Sequence, residues 1–165
     1  MDQEIEELEI IQVIEKAIEE HGATREAIVP VFAEVNRAFG YIPLRAIPEI
    51  RRRIHEPEEG LFLGDSNLFS VASFYQMFSL KPLGRHIVRF CESAPCHVMG
   101  GRQVIQALMD VMGIQPGETS QDKKWSLVMT SCIGLCGVGP VFQVDDKVYG
   151  NVSPAQVRDI LSQYD

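Results

Sequence analysis

The chain has 165 residues, enough for one domain or two small ones with a real buried core. Hydrophobic residues make up 45%, ordinary for a globular protein, and the net charge is −8. That acidity argues against nucleic acid or an anionic membrane surface as partner.

The first 82 residues read as helical. From Glu4 to Glu20, Ile5, Leu8, Ile11, Ile14 and Ile18 recur at helical spacing among glutamates, and Gly22 suits the stop. Packing in its own bundle is favoured over docking of this acidic helix on a basic partner. Thr24 is an N-cap for a second helix to Phe39, closed by Gly40, with Ile28, Phe32, Val35 and Phe39 as its stripe; Pro30 delays or kinks its start. Pro43 opens a third helix near its first position, with Ile47, Ile50 and Ile54 as the apolar edge and Pro48 as a disturbance. Arg51, Arg52 and Arg53 read first as a solvated face, second as a contact for an acidic partner. Residues 55–64 are loop. Ser66 caps a fourth helix to about Phe78. Its Phe69, Phe74, Tyr75, Met77 and Phe78 read mainly as core, the alternative being a subunit contact. Lys81 to Gly84 punctuate the chain, and the domain boundary is set there: 1–82, then 83–165.

The second half changes rhythm. Arg85 to Phe90 is a strand. Val98 to Met112 is a helix by Val104, Ile105, Leu108, Val111 and Met112, stopped by Gly113. Trp125 to Thr130 is a second strand. Residues 140–144 and 147–149 form a hairpin across Asp145 and Asp146. Ser153 and Pro154 open a last helix to Gln163. The run from Leu127 to Val144 lacks charge, but its glycines, proline and cysteines make it no membrane span.

The four cysteines are Cys91 and Cys96, a Cys-x4-Cys pair, and Cys132 and Cys136, a Cys-x3-Cys pair in a glycine-rich loop. Four thiolates are what one [2Fe–2S] cluster asks of its protein. The cluster is anionic, so it also needs N–H groups aimed at its sulfurs. Gly134, Gly137 and Gly139 suit close backbone approach, Ile133, Leu135 and Val138 would exclude water, and a helix after Cys96 would turn its N-terminus to the cluster. Three readings compete: a structural zinc site, which takes four cysteines from tighter knuckles; two disulfides, which suit a secreted chain, whereas no signal-peptide pattern opens this one; and cysteines buried as small hydrophobes. His97 is either a donor to sulfur or a surface residue. His21, His55 and His86 carry no assignment. Dinucleotide, P-loop and hydrolytic patterns do not occur.

Gly40-Tyr41-Ile42-Pro43, the segment Val71 to Phe78, Cys91 to His97, Gly113 to Thr119 and Cys132 to Pro140 together resemble the thioredoxin-like [2Fe–2S] subunits of NADH dehydrogenases. These are the E-type (24 kDa) subunits of respiratory complex I, with relatives in NAD-linked and electron-bifurcating hydrogenases and formate dehydrogenases. The resemblance runs from about Glu26 onward. It implies an α+β chain: an N-terminal helical bundle followed by a thioredoxin-like α/β [2Fe–2S] domain. It implies one cluster on Cys91, Cys96, Cys132 and Cys136, and single-electron exchange with the FMN of a partner subunit that binds NADH. FMN and NAD(H) then reach this chain only through that partner, and further iron–sulfur subunits complete the complex. The expected location is cytoplasmic, peripheral on the membrane through the complex, without membrane insertion. A thiol–disulfide enzyme would use Cys-x-x-Cys, which is absent.

Overall fold

A computed structural model describes residues 7–54 and 63–165. They fall into two compact units, within 1–82 and 83–165. Ile5, His55 and most of the loop expected at 55–64 lie outside the described residues. Among the described residues no helix is long and apolar enough to cross a membrane.

The first unit is helical. Helix α1 (Glu7–His21) buries Ile10, Ile14 and Ala17, while Leu8 is 67% exposed and Ile11 only half-buried. Of the expected stripe, Ile14 is buried and Ile18 packs against the core, but the seam runs through residues 10, 14 and 17, three and four apart. Gly22 ends α1 at φ 92°, its N–H bonded to Ile18 O at 2.8 Å. Thr24 does not cap by its side chain. A 3₁₀ turn, Arg25–Ala27, precedes α2 (Ile28–Phe39), whose first turn absorbs Pro30 without a kink because the N–H there has no intrahelical partner. Ile28, Val31, Phe32 and Val35 are buried, and Gly40 closes the helix at φ 76°.

Helix α3 (Ala46–Arg53) begins three residues after Pro43, whose carbonyl accepts the Ala46 N–H at 2.8 Å. Pro48 again falls in a first turn. The arginine run is not a free basic face. Arg51 meets Asp65 at 2.5 Å; Arg52 and Arg53 both bind Glu49, Arg53 at 2.7 Å; and Arg53 also reaches Glu15 of α1 at 3.2 Å. Glu49 is 8% exposed. The hydrogen bond from Arg53, aided by both guanidinium charges, outweighs burial and holds its carboxyl below the usual range. A carboxylate whose folded value is depressed stabilises the fold above its ordinary range, and that stability is lost as pH falls through the folded value. Glu49→Gln is accordingly expected to cost about 1–2 kcal/mol at neutral pH. Urea unfolding followed by circular dichroism should show the gap to wild type closing in acid. A gap independent of pH would contradict the charge-based account.

Helix α4 (Asp65–Phe74) starts where the Asn67 side chain accepts the Gly64 N–H at 2.9 Å, so Asn67 rather than Ser66 makes the cap contact. It stops at Phe74, short of Phe78. Leu68, Ala72 and Phe78 are buried, Phe78 meeting Phe32 with ring centroids 6.0 Å apart. Phe69, Phe74, Tyr75 and Met77, expected mainly in the core, are exposed, Phe74 by 77%. The reason is geometric. Phe69 lies off the Leu68–Ala72 seam, and beyond Phe74 the backbone turns, so helical spacing no longer predicts a face. Asn36 of α2 pins this turn, accepting the Ser79 N–H at 3.2 Å.

The second unit is a four-stranded sheet in the order β2-β1-β3-β4. Strand β1 (His86–Cys91) runs parallel to β2 (Trp125–Thr130), with Cys91 opposite Thr130, and antiparallel to β3 (Phe142–Val144), which pairs antiparallel with β4 (Lys147–Tyr149). The hairpin turn has Asp145 at φ 52°. Between β1 and β2 the chain passes through a short helical turn, α5 (Ala94–Cys96), a π-helical turn (His97–Gly101) and helix α6 (Arg102–Met112). The expected helix from Val98 is thus broken: Gly100, at φ 102°, sits inside the π turn, and Val98 is 82% exposed. Val111 also faces outward; Val104, Leu108 and Met112 make the seam. Gly113 caps α6 at φ 67°. Helix α7 (Pro154–Leu161) is opened by Ser153, whose N–H donates to the Gln156 side chain at 2.9 Å, and ends two residues before Gln163. Val88, Phe90, Leu127, Phe142, Val144, Leu108 and Val157 fill the core between sheet and helices. This α+β architecture, helices first and then a mixed sheet, is the expected fold class.

Candidate metal centre

Because β1 and β2 are parallel, both leave the sheet at the same edge. Cys91 is the last residue of β1, and Cys96 follows within α5. Cys132 and Cys136 lie in the loop just after β2. The two cysteine loops therefore meet beyond the carboxyl ends of neighbouring strands, where sheets with parallel strands commonly place their sites.

Cys91 and Cys96 are buried, packed with Val141 and the half-buried Ile133; Cys132 and Cys136 are exposed. All four are free thiols. Burial pushes the Cys91 thiol up, but the Ile133 and Ser93 N–H groups, with the Cys96 thiol and the Ser93 hydroxyl, outweigh it and set it below the ordinary value. Burial and the bond to Cys91 push Cys96 up; the Val141 N–H opposes this, while charge on Cys91 and Cys136 adds to it. Cys136 is raised by its bond to Cys132 and by charge on Cys132 and then Cys91. The thiols thus form two pairs, 91 with 96 and 132 with 136, each sensing the other.

A backbone N–H shell surrounds the sulfurs, though not quite the expected one. Gly134, at φ 86°, does donate to Cys132 Sγ at 3.3 Å. Gly139 does not: its N–H goes to Cys136 O at 3.3 Å. Its value is space, since a Cβ there would stand 3.4 Å from Cys96 Sγ and 3.2 Å from the Met99 sulfur. The remaining donors are Ile133, Ser93 and Val141. They were not legible beforehand, because any residue type can offer an N–H. The helical turn begins at Ala94, before Cys96 rather than after it. Ile133 covers the buried cysteines, whereas Leu135 and Val138 are 43% and 38% exposed and do not shield them within this chain. His97 is exposed and meets Arg102 Nη2 at 3.3 Å through Nε2. A guanidinium only donates, so that nitrogen accepts. His86 lies at the opposite end of β1, against Asp145 Oδ2 at 2.8 Å and the Trp125 and Tyr164 rings.

Four free thiols in two pairs, with N–H donors around the sulfurs, fit a [2Fe–2S] cluster, which four thiolates hold.

Free thiols on two loops at one end of the sheet have the chemistry to ligate an iron–sulfur cluster. Residues 14–165 match the family model of the thioredoxin-like [2Fe-2S] ferredoxin, and the chain belongs to that family. It is 31% identical to the E-type subunit of NADH-quinone oxidoreductase from Aquifex aeolicus (strain VF5), over 96% of this chain and 97% of the relative. It is 30% identical to HndA, a subunit of the NADP-reducing hydrogenase of Solidesulfovibrio fructosivorans, over 94% and 85%. Among solved structures, an NAD+-reducing [NiFe]-hydrogenase in the H2-reduced state superposes with a TM-score of 0.62 at 19% identity, over 80% of this chain and 21% of the hydrogenase chain. At that identity the likeness is one of fold.

Proposed function

We propose that this chain is the [2Fe–2S] electron-transfer subunit of a flavin-dependent NADH-oxidising complex, and that Cys91, Cys96, Cys132 and Cys136 ligate the cluster. The observation that carries the reading is the pairing of thiols at one sheet edge. Cys91 with Cys96, and Cys132 with Cys136, would hold the cluster's irons. Bound there, the cluster supplies one-electron redox chemistry. The chain's own part is to hold the thiolates, direct the N–H groups of Ser93, Ile133, Gly134 and Val141 at their sulfurs, and keep water from Cys91 and Cys96. Hydrogen bonds of this kind and burial move such potentials over hundreds of millivolts.

The partner is an FMN- and NADH-binding iron–sulfur subunit, with further iron–sulfur subunits beyond it. A two-electron hydride donor and a one-electron cluster require a flavin between them. The exposed side chains Met99, Leu135 and Val138 around the cysteine loops, and Phe69, Phe74 and Met77 in the helical unit, are the surfaces offered for such contacts. The host is a quinone-reducing NADH dehydrogenase on the cytoplasmic face of a membrane. The similarity to HndA favours, as a second reading, the same role in a hydrogenase.

The test is reconstitution of the full chain with iron and sulfide. Two irons and two sulfides per chain are expected, with visible charge-transfer absorbance and, after dithionite, the electron paramagnetic resonance signal of a reduced [2Fe–2S] centre. One colourless zinc per chain would overturn the reading.

A further inference from the structure

Ser93 stands at the N-cap position before α5, yet its hydroxyl makes no cap hydrogen bond. It crosses instead to the other cysteine loop and donates to the carbonyl of Ser131, the residue before Cys132. Cys91 Sγ faces the same carbonyl at 3.7 Å. The backbone of Ser93 works on its own side of the gap, its carbonyl accepting the His97 N–H at 3.0 Å and so holding the turn that contains Cys96. One half-buried residue thus touches the surroundings of three of the four cysteines.

We propose that Ser93 is a positioning residue that staples the Cys91–Cys96 loop to the Cys132–Cys136 loop through its hydroxyl and so sets the separation of the two thiol pairs. The proposal rests on the cluster assignment above but concerns a bond present without metal. The staple acts late in assembly. β1 and β2 bring the loops to one edge, where the Glu92 N–H donates to Thr130 O at 3.0 Å. One residue further on, the Ser93 hydroxyl reaches across to Ser131.

The experiment compares the full chain as wild type, Ser93→Ala and Ser93→Thr. In the loaded proteins, iron release to a chelator is expected to be about five-fold faster in Ser93→Ala, as loss of one neutral hydrogen bond implies. Ser93→Thr, which keeps the hydroxyl, should restore the wild-type rate. In the metal-free proteins, amide hydrogen exchange across residues 132–138 should quicken in Ser93→Ala and recover in Ser93→Thr. Equal release and exchange rates in wild type and Ser93→Ala would overturn the staple. If wild type took up no iron, the cluster assignment would fall, and the exchange comparison would still decide whether Ser93 joins the loops.

Discussion

The Cys132→Ala chain is expected to lose its visible absorbance and reduced-state resonance almost completely, while the circular dichroism of the helices stays close to wild type. The cluster has no spare ligand to recruit. The proposed ligand set uses all four cysteines of the chain, and His97, the nearest imidazole in sequence, is exposed and engaged with Arg102. Cys132 is exposed, so alanine opens no cavity there, and the large cost of emptying a core position is avoided. The helical unit has its own core of Ile10, Ile14, Val31, Phe32, Ile50 and Leu68 and contains no cysteine. Retention of helicity with loss of colour would support the proposal that 1–82 and 83–165 fold as separate domains. Collapse of helicity together with the absorbance would refute it.

The purified chain with its cluster intact is expected to oxidise no NADH with ferricyanide or a viologen, and activity should appear only when the flavin-bearing partner is added. The sequence contains no dinucleotide fingerprint and no phosphate-cradling loop. A cluster that accepts one electron cannot take a hydride in a single step. Phe74 is 77% exposed, and Phe74→Lys should weaken formation of the complex and leave the cluster spectrum unaltered. Turnover by the single chain at a rate near that of the complex would overturn the division of labour between a flavin subunit and this one.

Much of the fold could be read from the sequence because its signals are local. Gly40 and Gly113 end helices through the left-handed conformation a glycine takes at little cost. Ser153 and Pro154 begin one by cap chemistry, alternation in residues 125–130 marks a strand, and Asp145 and Asp146 mark the turn of a hairpin. The spacing of the cysteines, together with the aromatic segment before them, was enough to identify the family, which the match over residues 14–165 establishes. What failed to show depends on neighbours. The buried side of α1 runs through Ile10 and Ala17 rather than Leu8, because α1 carries apolar residues on more than one side and only packing selects among them. Phe74 and Met77 are exposed because α4 ends and the backbone turns, and periodicity does not reveal its own end.

By itself, the sequence determined the family, the α+β class, the helix stops and the four thiols with their spacing. Only the tertiary structure decided the sheet order, the meeting of two cysteine loops at one edge, the donors from Ser93, Ile133 and Val141, and the crossing of the Ser93 hydroxyl to Ser131. Helix stops and ligand chemistry belong to residue types and short spacings. Which backbone N–H reaches which sulfur is set by how parallel strands distant in sequence are brought into register.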